Sequence, residues 1–203
     1  MPEPALGSFS ELHHVSQLLT LYLQKRFETI TFGGVSWGGD FLALAPLPSD
    51  EYSGVDYVEQ VMPANAGGSL TSGFIAPKLN TQVLRVLGTG YLCVRLSTWT
   101  ASAAQPVRLE SINVRITRYS KIGLIKTEID KTVTVNWDNA STVEVKRSFF
   151  ITLDDLDFEL SPDERIAVWI AASWRARAAT GYLRRYATRG ESETYVQLPV
   201  IEG

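Results

Sequence analysis

The chain has 203 residues and a mass of 22.5 kDa, with 19 Lys+Arg, 22 Asp+Glu, two His and one Cys. That length suits one all-β domain, or one domain with an appendage, and can bury a core without disulfides or metals. The single cysteine excludes a disulfide framework, the two adjacent histidines argue against a zinc site, and a net charge of −3 with a pI near 5.5 argues against a dedicated nucleic-acid binder.

The start Met1-Pro2-Glu3-Pro4 lacks the basic and apolar regions of a secretory signal. No run of about 18 apolar residues exists, so synthesis and folding in a cytosol are expected, with no membrane partner. Residues 1–34 read as a segment apart, a helix followed by an extended arm. Ser8 and Glu11 form a capping-box pattern, and Leu12, Val15, Leu18, Leu19, Tyr22, Leu23 and Phe27 share one face at helical spacing. This predicts an amphipathic helix over about 9–26. A strand through Leu19–Leu23 competes with it. Phe27–Phe32 looks extended and ends at Gly33-Gly34.

Residues 35–80 are rich in glycine and proline breakers, with short apolar pieces at 41–45, 55–62 and 73–76 that suit strands. The first 80 residues hold three basic and eight acidic side chains, the remainder 16 and 14, so the charge is mildly polarised along the chain.

From residue 81 to 203 the pattern has period 2. Leu92, Val94 and Leu96 alternate with Cys93, Arg95 and Ser97; Ile112, Val114 and Ile116 alternate with Asn113, Arg115 and Thr117. Similar runs cover 129–137, 143–153, 166–172 and 196–200. Strands with one apolar face, punctuated by turns and without long helices between them, predict an all-β antiparallel sandwich of jelly-roll type. About eight strands are expected in this domain. Trp137 and Trp174 fall on the apolar parity and read as core. Trp169 falls on the opposite parity, so it is either exposed or packed against the N-terminal segment or a subunit.

Gly34-Val35-Ser36-Trp37-Gly38 matches G-x-S-x-G, the nucleophile elbow of α/β-hydrolases. That motif needs a helix after it and a downstream histidine, whereas a proline-rich loop follows here and His13 and His14 lie upstream. A glycine-rich turn between strands is the better reading. Asp154, Asp155, Asp157, Glu159, Asp163 and Glu164 place six carboxylates in eleven residues. Calcium takes such ligands, but an EF-hand loop beginning at Asp155 would have Leu160 where glycine is needed and Ile166 where glutamate is needed. A glycosidase pair is a second use of these acids. A solvated strand end and turn is favoured over both.

Arg165, Arg175, Arg177, Arg184, Arg185 and Arg189 are interleaved with Trp169, Trp174, Tyr182 and Tyr186. Stacking and backbone attraction could hold single-stranded nucleic acid there. The absence of lysine from this stretch and the enrichment of arginine at protein interfaces favour protein contact instead. The interface candidates are Leu12, Leu19, Tyr22 and Phe27 in the first segment, and Trp169, Arg175, Arg177, Tyr182, Arg184 and Arg185 in the last third.

Phe149–Trp174 contains a strand (Phe150-Ile151-Thr152-Leu153), an acidic turn ending in Glu164-Arg165, and an alternating strand (Ile166–Ile170). This architecture resembles jelly-roll virion proteins, and the low lysine content and frequent Thr, Ser, Gly and Ala are similar to structural proteins of tailed phages. The resemblance implies a non-enzymatic virion building block without cofactors, either a capsid decoration (cement) or minor capsid protein, or a tail or baseplate component. It would be made in the host cytoplasm, form a homo-oligomer such as a trimer, and contact a capsid or tail lattice. A carbohydrate-binding sandwich, and a hydrolase using Ser36 or the 154–164 acids, are the rival readings.

Overall fold

The computed structural model describes residues 17–25, 30–37, 42–45, 57–76, 83–187 and 194–202. Its strands are β1 (Gln17–Lys25), β2 (Ile30–Phe32), β3 (Val35–Trp37), β4 (Leu42–Ala45), β5 (Tyr57–Met62), β6 (Gly67–Ile75), β7 (Leu84–Thr100), β8 (Val107–Ser120), β9 (Gly123–Asn139), β10 (Val145–Leu160), β11 (Arg165–Ala176), β12 (Gly181–Tyr186) and β13 (Tyr195–Glu202). The expected all-β, antiparallel architecture is present, and the described residues contain no helix. Seven strands follow residue 81 rather than about eight, because β7–β11 are long.

Hydrogen bonding runs continuously in the order β9-β8-β11-β6-β4-β1-β13-β7, with β10 on the far edge of β7 and β12 then β5 also extending from β7. Every pairing is antiparallel except β4 with β6. One apolar cluster draws on both ends of this path. It joins Val94, Ile151 and Leu153 of β7 and β10 to Ile112, Val114, Ile116, Ile166 and Val168 of β8 and β11. The sheet therefore folds over and faces itself as a sandwich. The alternation along each strand supplies the two inner faces, each fully buried large aliphatic side chain contributing about 1.5–3 kcal/mol. Trp137 and Trp174 lie in this core, as their parity predicts.

The helix expected over 9–26 is replaced by strand β1 over Gln17–Lys25; residues 9–16 lie outside the described residues. Both periodicities fit these residues, and pairing decides between them. β1 has β13 on one edge and β4 on the other, and only an extended chain satisfies both ladders. Leu21 and Leu23 are then fully buried, while Leu18 on the opposite face is 57% exposed.

β7 has a divided edge. One side pairs with β10 from Thr98 to Leu84. The other pairs with β13 up to Cys93 and with β12 from Leu96 onward, leaving a gap at Val94–Arg95. Buried Thr194 fills it. Its hydroxyl accepts from the Arg95 amide at 3.2 Å and donates to the Tyr186 carbonyl at 2.8 Å, and its carbonyl accepts from the Leu23 amide at 2.9 Å. One residue thus ties β7, β12 and β1 together.

Two substitutions test this account by denaturant unfolding. Leu21→Ala is expected to cost about 2–5 kcal/mol, against about 0.5 kcal/mol or less for Leu18→Ala. Thr194→Val keeps the shape but strands the Arg95 N–H and the Tyr186 carbonyl, and is expected to cost about 1–3 kcal/mol.

Candidate binding groove

The G-x-S-x-G segment forms the β2–β3 hairpin. Its turn is Gly33-Gly34, with φ of 62° and 72°, left-handed values that glycine adopts without strain. A Cβ on Gly33 would lie 2.7 Å from the Tyr119 ring, so the missing side chain lets the hairpin sit close against β8. Phe32, Val35 and Trp169 pack on Ile75, Tyr119 and Ala167, and the Arg165 guanidinium lies 4.4 Å from the Phe32 ring centre. Ser36 pairs with Thr31 in this hairpin and is exposed. The glycine-rich turn between strands is at Gly33-Gly34, Ser36 lies within β3, and residues 38–41, where the motif would need its helix, lie outside the described residues.

The 154–164 acids spread along β10 and its turn, and several hold separate cations. Asp154 pairs with Lys131 at 2.7 Å, Asp157 with Arg85 at 3.1 Å, Asp163 with Lys121 at 3.6 Å and Glu164 with Arg118 at 3.1 Å. Among the described residues no three His, Cys, Asp or Glu converge as metal ligands.

A polar groove of about 930 Å³ opens where β8, β9 and β11 approach the Pro63–Ala66 turn, lined by Asn65, Gln105, Arg108, Glu110, Ser111, Thr134, Asn136, Arg175 and Arg177 among others. Its shape follows from broken register. Between Leu109 and Ser111, strand β8 slips against β9, and at the same place it slips against β11 between Ser173 and Trp174. Glu110 therefore has no partner residue in either ladder, and β9 answers with Asn136 at φ 49°. Bulges re-aim side chains out of the regular pleat and concentrate beside binding sites. Here Arg108 donates to Asn136 Oδ1 at 2.9 Å and pairs with Asp138 at 3.5 Å, while Arg175 Nε lies 3.3 Å from Glu110. Arg177 enters no ion pair among the described residues.

A second polar cluster lies on the outer side of β5, β12 and β7. Arg184 donates from Nε to Glu59 at 2.6 Å and from another nitrogen to Glu144 at 3.3 Å, with its guanidinium 4.0 Å from the Tyr57 ring centre and 4.6 Å from that of Trp99. Trp99 also stacks on Tyr182 at 4.8 Å, with the rings parallel to within 1°. Glu144 accepts from Ser97 at 2.5 Å and from the Tyr186 hydroxyl. Burial works against the Glu144 charge, but the Ser97 and Tyr186 bonds and the pull of Arg184 and Lys146 outweigh it and hold this carboxyl below its ordinary range. Burial first, and the Glu144 contact second, push the Tyr186 phenol up from 10.0 to about 12. These partners satisfy one another, so the cluster fastens the 140–144 loop to β12 and leaves no vacant charge.

The ten interface candidates scatter. Leu12 and Phe27 lie outside the described residues. Leu19 packs on the core, and Tyr22 meets Tyr195 edge-on at 6.2 Å. Trp169 is outward of its strand and packs, like Phe32 and Val35 of the β2–β3 hairpin, on the Ile75, Tyr119 and Ala167 cluster, with its ring over Gly73 and its indole N–H donating to Thr117 at 3.2 Å. Tyr182 and Arg184 belong to the outer cluster, and Arg185 is 0% exposed with its guanidinium on Ser72 and over Phe74. Only Arg175 and Arg177 reach the groove. Arg108, Glu110, Asn65 and Asn136 are additions that sequence reading missed. The signal was present in Leu109-Glu110-Ser111-Ile112, where two polar residues in succession interrupt the alternation and mark a bulge.

No family model and no curated protein matches the chain. Solved structures do share the fold. An aminopeptidase from the marine sediment archaeon Thaumarchaeota archaeon aligns with a TM-score of 0.57 at 13% identity, over 92% of this chain and 37% of its own. An α-amino acid ester hydrolase aligns at 0.53 and 15% identity, over 90% of this chain and 36% of its own. A CocE/NonD family hydrolase from Staphylococcus aureus aligns at 0.50 and 7% identity, over 92% and 37%. The chain thus spans little more than a third of these structures, and the likeness is one of fold. It corrects the expectation of a non-enzymatic virion protein, with its tail and carbohydrate-binding alternatives. The three structures named are all of hydrolases, whereas an infectious bursal disease virus structure reaches a TM-score of only 0.31, too low to carry the capsid reading.

The outer cluster makes stability depend on pH at both extremes. The depressed Glu144 stabilises the fold above the ordinary glutamate value of 4.5, and that contribution is lost as pH falls through the depressed one. The raised Tyr186 stabilises the fold below pH 10.0, and that contribution is lost as pH rises toward about 12. Chemical unfolding of Glu144→Gln at neutral pH is expected to show a loss of about 1.5–3 kcal/mol, and a shallower decline on acidification than the parent protein.

Proposed function

We propose that this chain forms the β-sandwich part of an ester- or amide-bond hydrolase acting on α-amino acid derivatives. The observation that carries the reading is the alignment of nearly the whole sandwich with about a third of an aminopeptidase and of an α-amino acid ester hydrolase. Ser36 lies inside a hairpin strand, paired with Thr31, and not at a turn as the nucleophile of such an enzyme would be, so it is poorly placed for that role. In this reading the nucleophile comes from outside the described residues, and the sandwich supplies a wall of the substrate site.

The test is turnover of α-amino acid 4-nitrophenyl esters and 4-nitroanilides by the protein purified from its natural source, in whatever assembly carries the chain. Hydrolysis that co-purifies with the chain and survives Ser36→Ala is expected. Absence of turnover on both substrate types would overturn the hydrolase reading. Loss of turnover in a folded Ser36→Ala protein would overturn the placement of the nucleophile.

A further inference from the structure

We infer that the groove at Glu110 is a recognition site for a free carboxylate at the end of a short peptide, with Arg177 as the group that grips it. Four observations converge on this.

The first is shape. A groove of about 930 Å³ falls at the upper end of the ~300–1,000 Å³ range of small-ligand sites, enough for a ligand of a few residues. The second is charge. Three guanidiniums, Arg108, Arg175 and Arg177, line it against the single carboxylate of Glu110. The third is their division of labour. Arg108 is held by Asn136 and Asp138, and Arg175 by Glu110, while Arg177 is exposed and enters no ion pair among the described residues. Two arginines are already paired and one keeps its donors available. A planar guanidinium with a free edge matches a carboxylate through two parallel hydrogen bonds.

The fourth observation is the remainder of the lining. Asn65, Gln105, Ser111, Thr134 and Asn136 offer amides and hydroxyls, the donors and acceptors a peptide backbone needs. Ser111 and Thr134 are cross-strand partners at the slipped register, and both asparagines occupy left-handed backbone, φ 63° at Asn65 and 49° at Asn136. Asparagine tolerates that conformation better than most residues. Four separate segments, at 65, 105–111, 134–136 and 175–177, are therefore brought to one concavity by two coincident bulges. Glu110 favours a singly charged carboxylate over a phosphoryl group, whose second charge it would repel.

Arg177 is exposed and lies beyond the end of β11, so its replacement leaves the core intact. The experiment is fluorescence anisotropy with fluorescein-labelled tetra-alanine, in the free-acid and the C-terminally amidated forms, at low and high salt. The free acid is expected to bind with an affinity that weakens as salt rises, and amidation or Arg177→Ala is expected to weaken binding by at least about tenfold. Lys121→Ala, which removes an equal charge at the far β8–β9 turn, is expected to leave affinity unchanged. Arg177→Lys should recover only part of the loss, since it restores the charge without the fork. Equal binding of acid and amide, or full binding by Arg177→Ala, would overturn the site. Displacement by inorganic phosphate at concentrations where acetate has no effect would overturn the carboxylate assignment. No turnover enters these readings, so the site stands or falls separately from the hydrolase reading.

Discussion

Everything in this sandwich hangs on one strand, β7, whose two edges meet different demands. Of its 17 residues, Leu84 to Thr98 give one edge to β10, while the other edge is shared between β12 and β13. A shared edge leaves a step where one neighbour stops and the next begins, and a step inside a core strands polar backbone groups at a cost of about 1–3 kcal/mol each. Thr194 closes it with a side-chain hydroxyl that both accepts and donates, and with a carbonyl turned to β1. Through the β13 and β10 ladders on its two edges, β7 also completes a hydrogen-bonded path from β9 around to β10. That continuity brings β1 into the fold as a core strand instead of a detachable arm, since Leu21 and Leu23 are enclosed beside β13.

Polar chemistry occurs at two places in this frame, in two different conditions. On the outer side of β12, Arg184, Glu59, Glu144, Ser97 and Tyr186 are mutually satisfied and clamped by the rings of Tyr57 and Trp99. Such a closed network rigidifies its surroundings and has little left to offer a ligand. At the double slip around Glu110, the ladder itself is interrupted, and side chains that a regular pleat would spread over two faces are gathered into a concavity. Regular pairing makes the scaffold, and the break in pairing makes the candidate site.

How much of this is legible in the sequence depends on whether parity is kept. Where alternation is clean, as at Leu92–Leu96, Ile112–Ile116 and Ile166–Ile170, strands, buried faces and the outward set of Trp169 follow directly. Trp169 is outward and part-buried on the same small cluster that the β2–β3 hairpin residues Phe32 and Val35 pack against. At β1 the leucines satisfy a period of 3.6 and a period of 2 together, and only distant partners, β13 and β4, select the strand. The groove is still less legible. Arg175 and Arg177 stand out as part of an arginine-rich stretch, but their neighbours Asn65, Arg108 and Asn136 come from positions far apart in the chain. A local cue existed in the Glu110-Ser111 break of alternation, but nothing local says that β11 and β9 slip at the same level. Thr194 carries no cue at all, because its role is defined by a gap between two other strands.

The claim that this interrupted ladder is the recognition surface is tested most directly by mapping. A two-dimensional amide NMR titration with unlabelled tetra-alanine, free at its C-terminus, is the measurement. The expected result is a contiguous set of shifts at Asn65, Glu110, Ser111, Thr134, Asn136 and Arg177, with the amides of Tyr182, Arg184 and Tyr186 unmoved. Shifts confined to the outer face of β12 and β10, or none at saturating peptide, would contradict it.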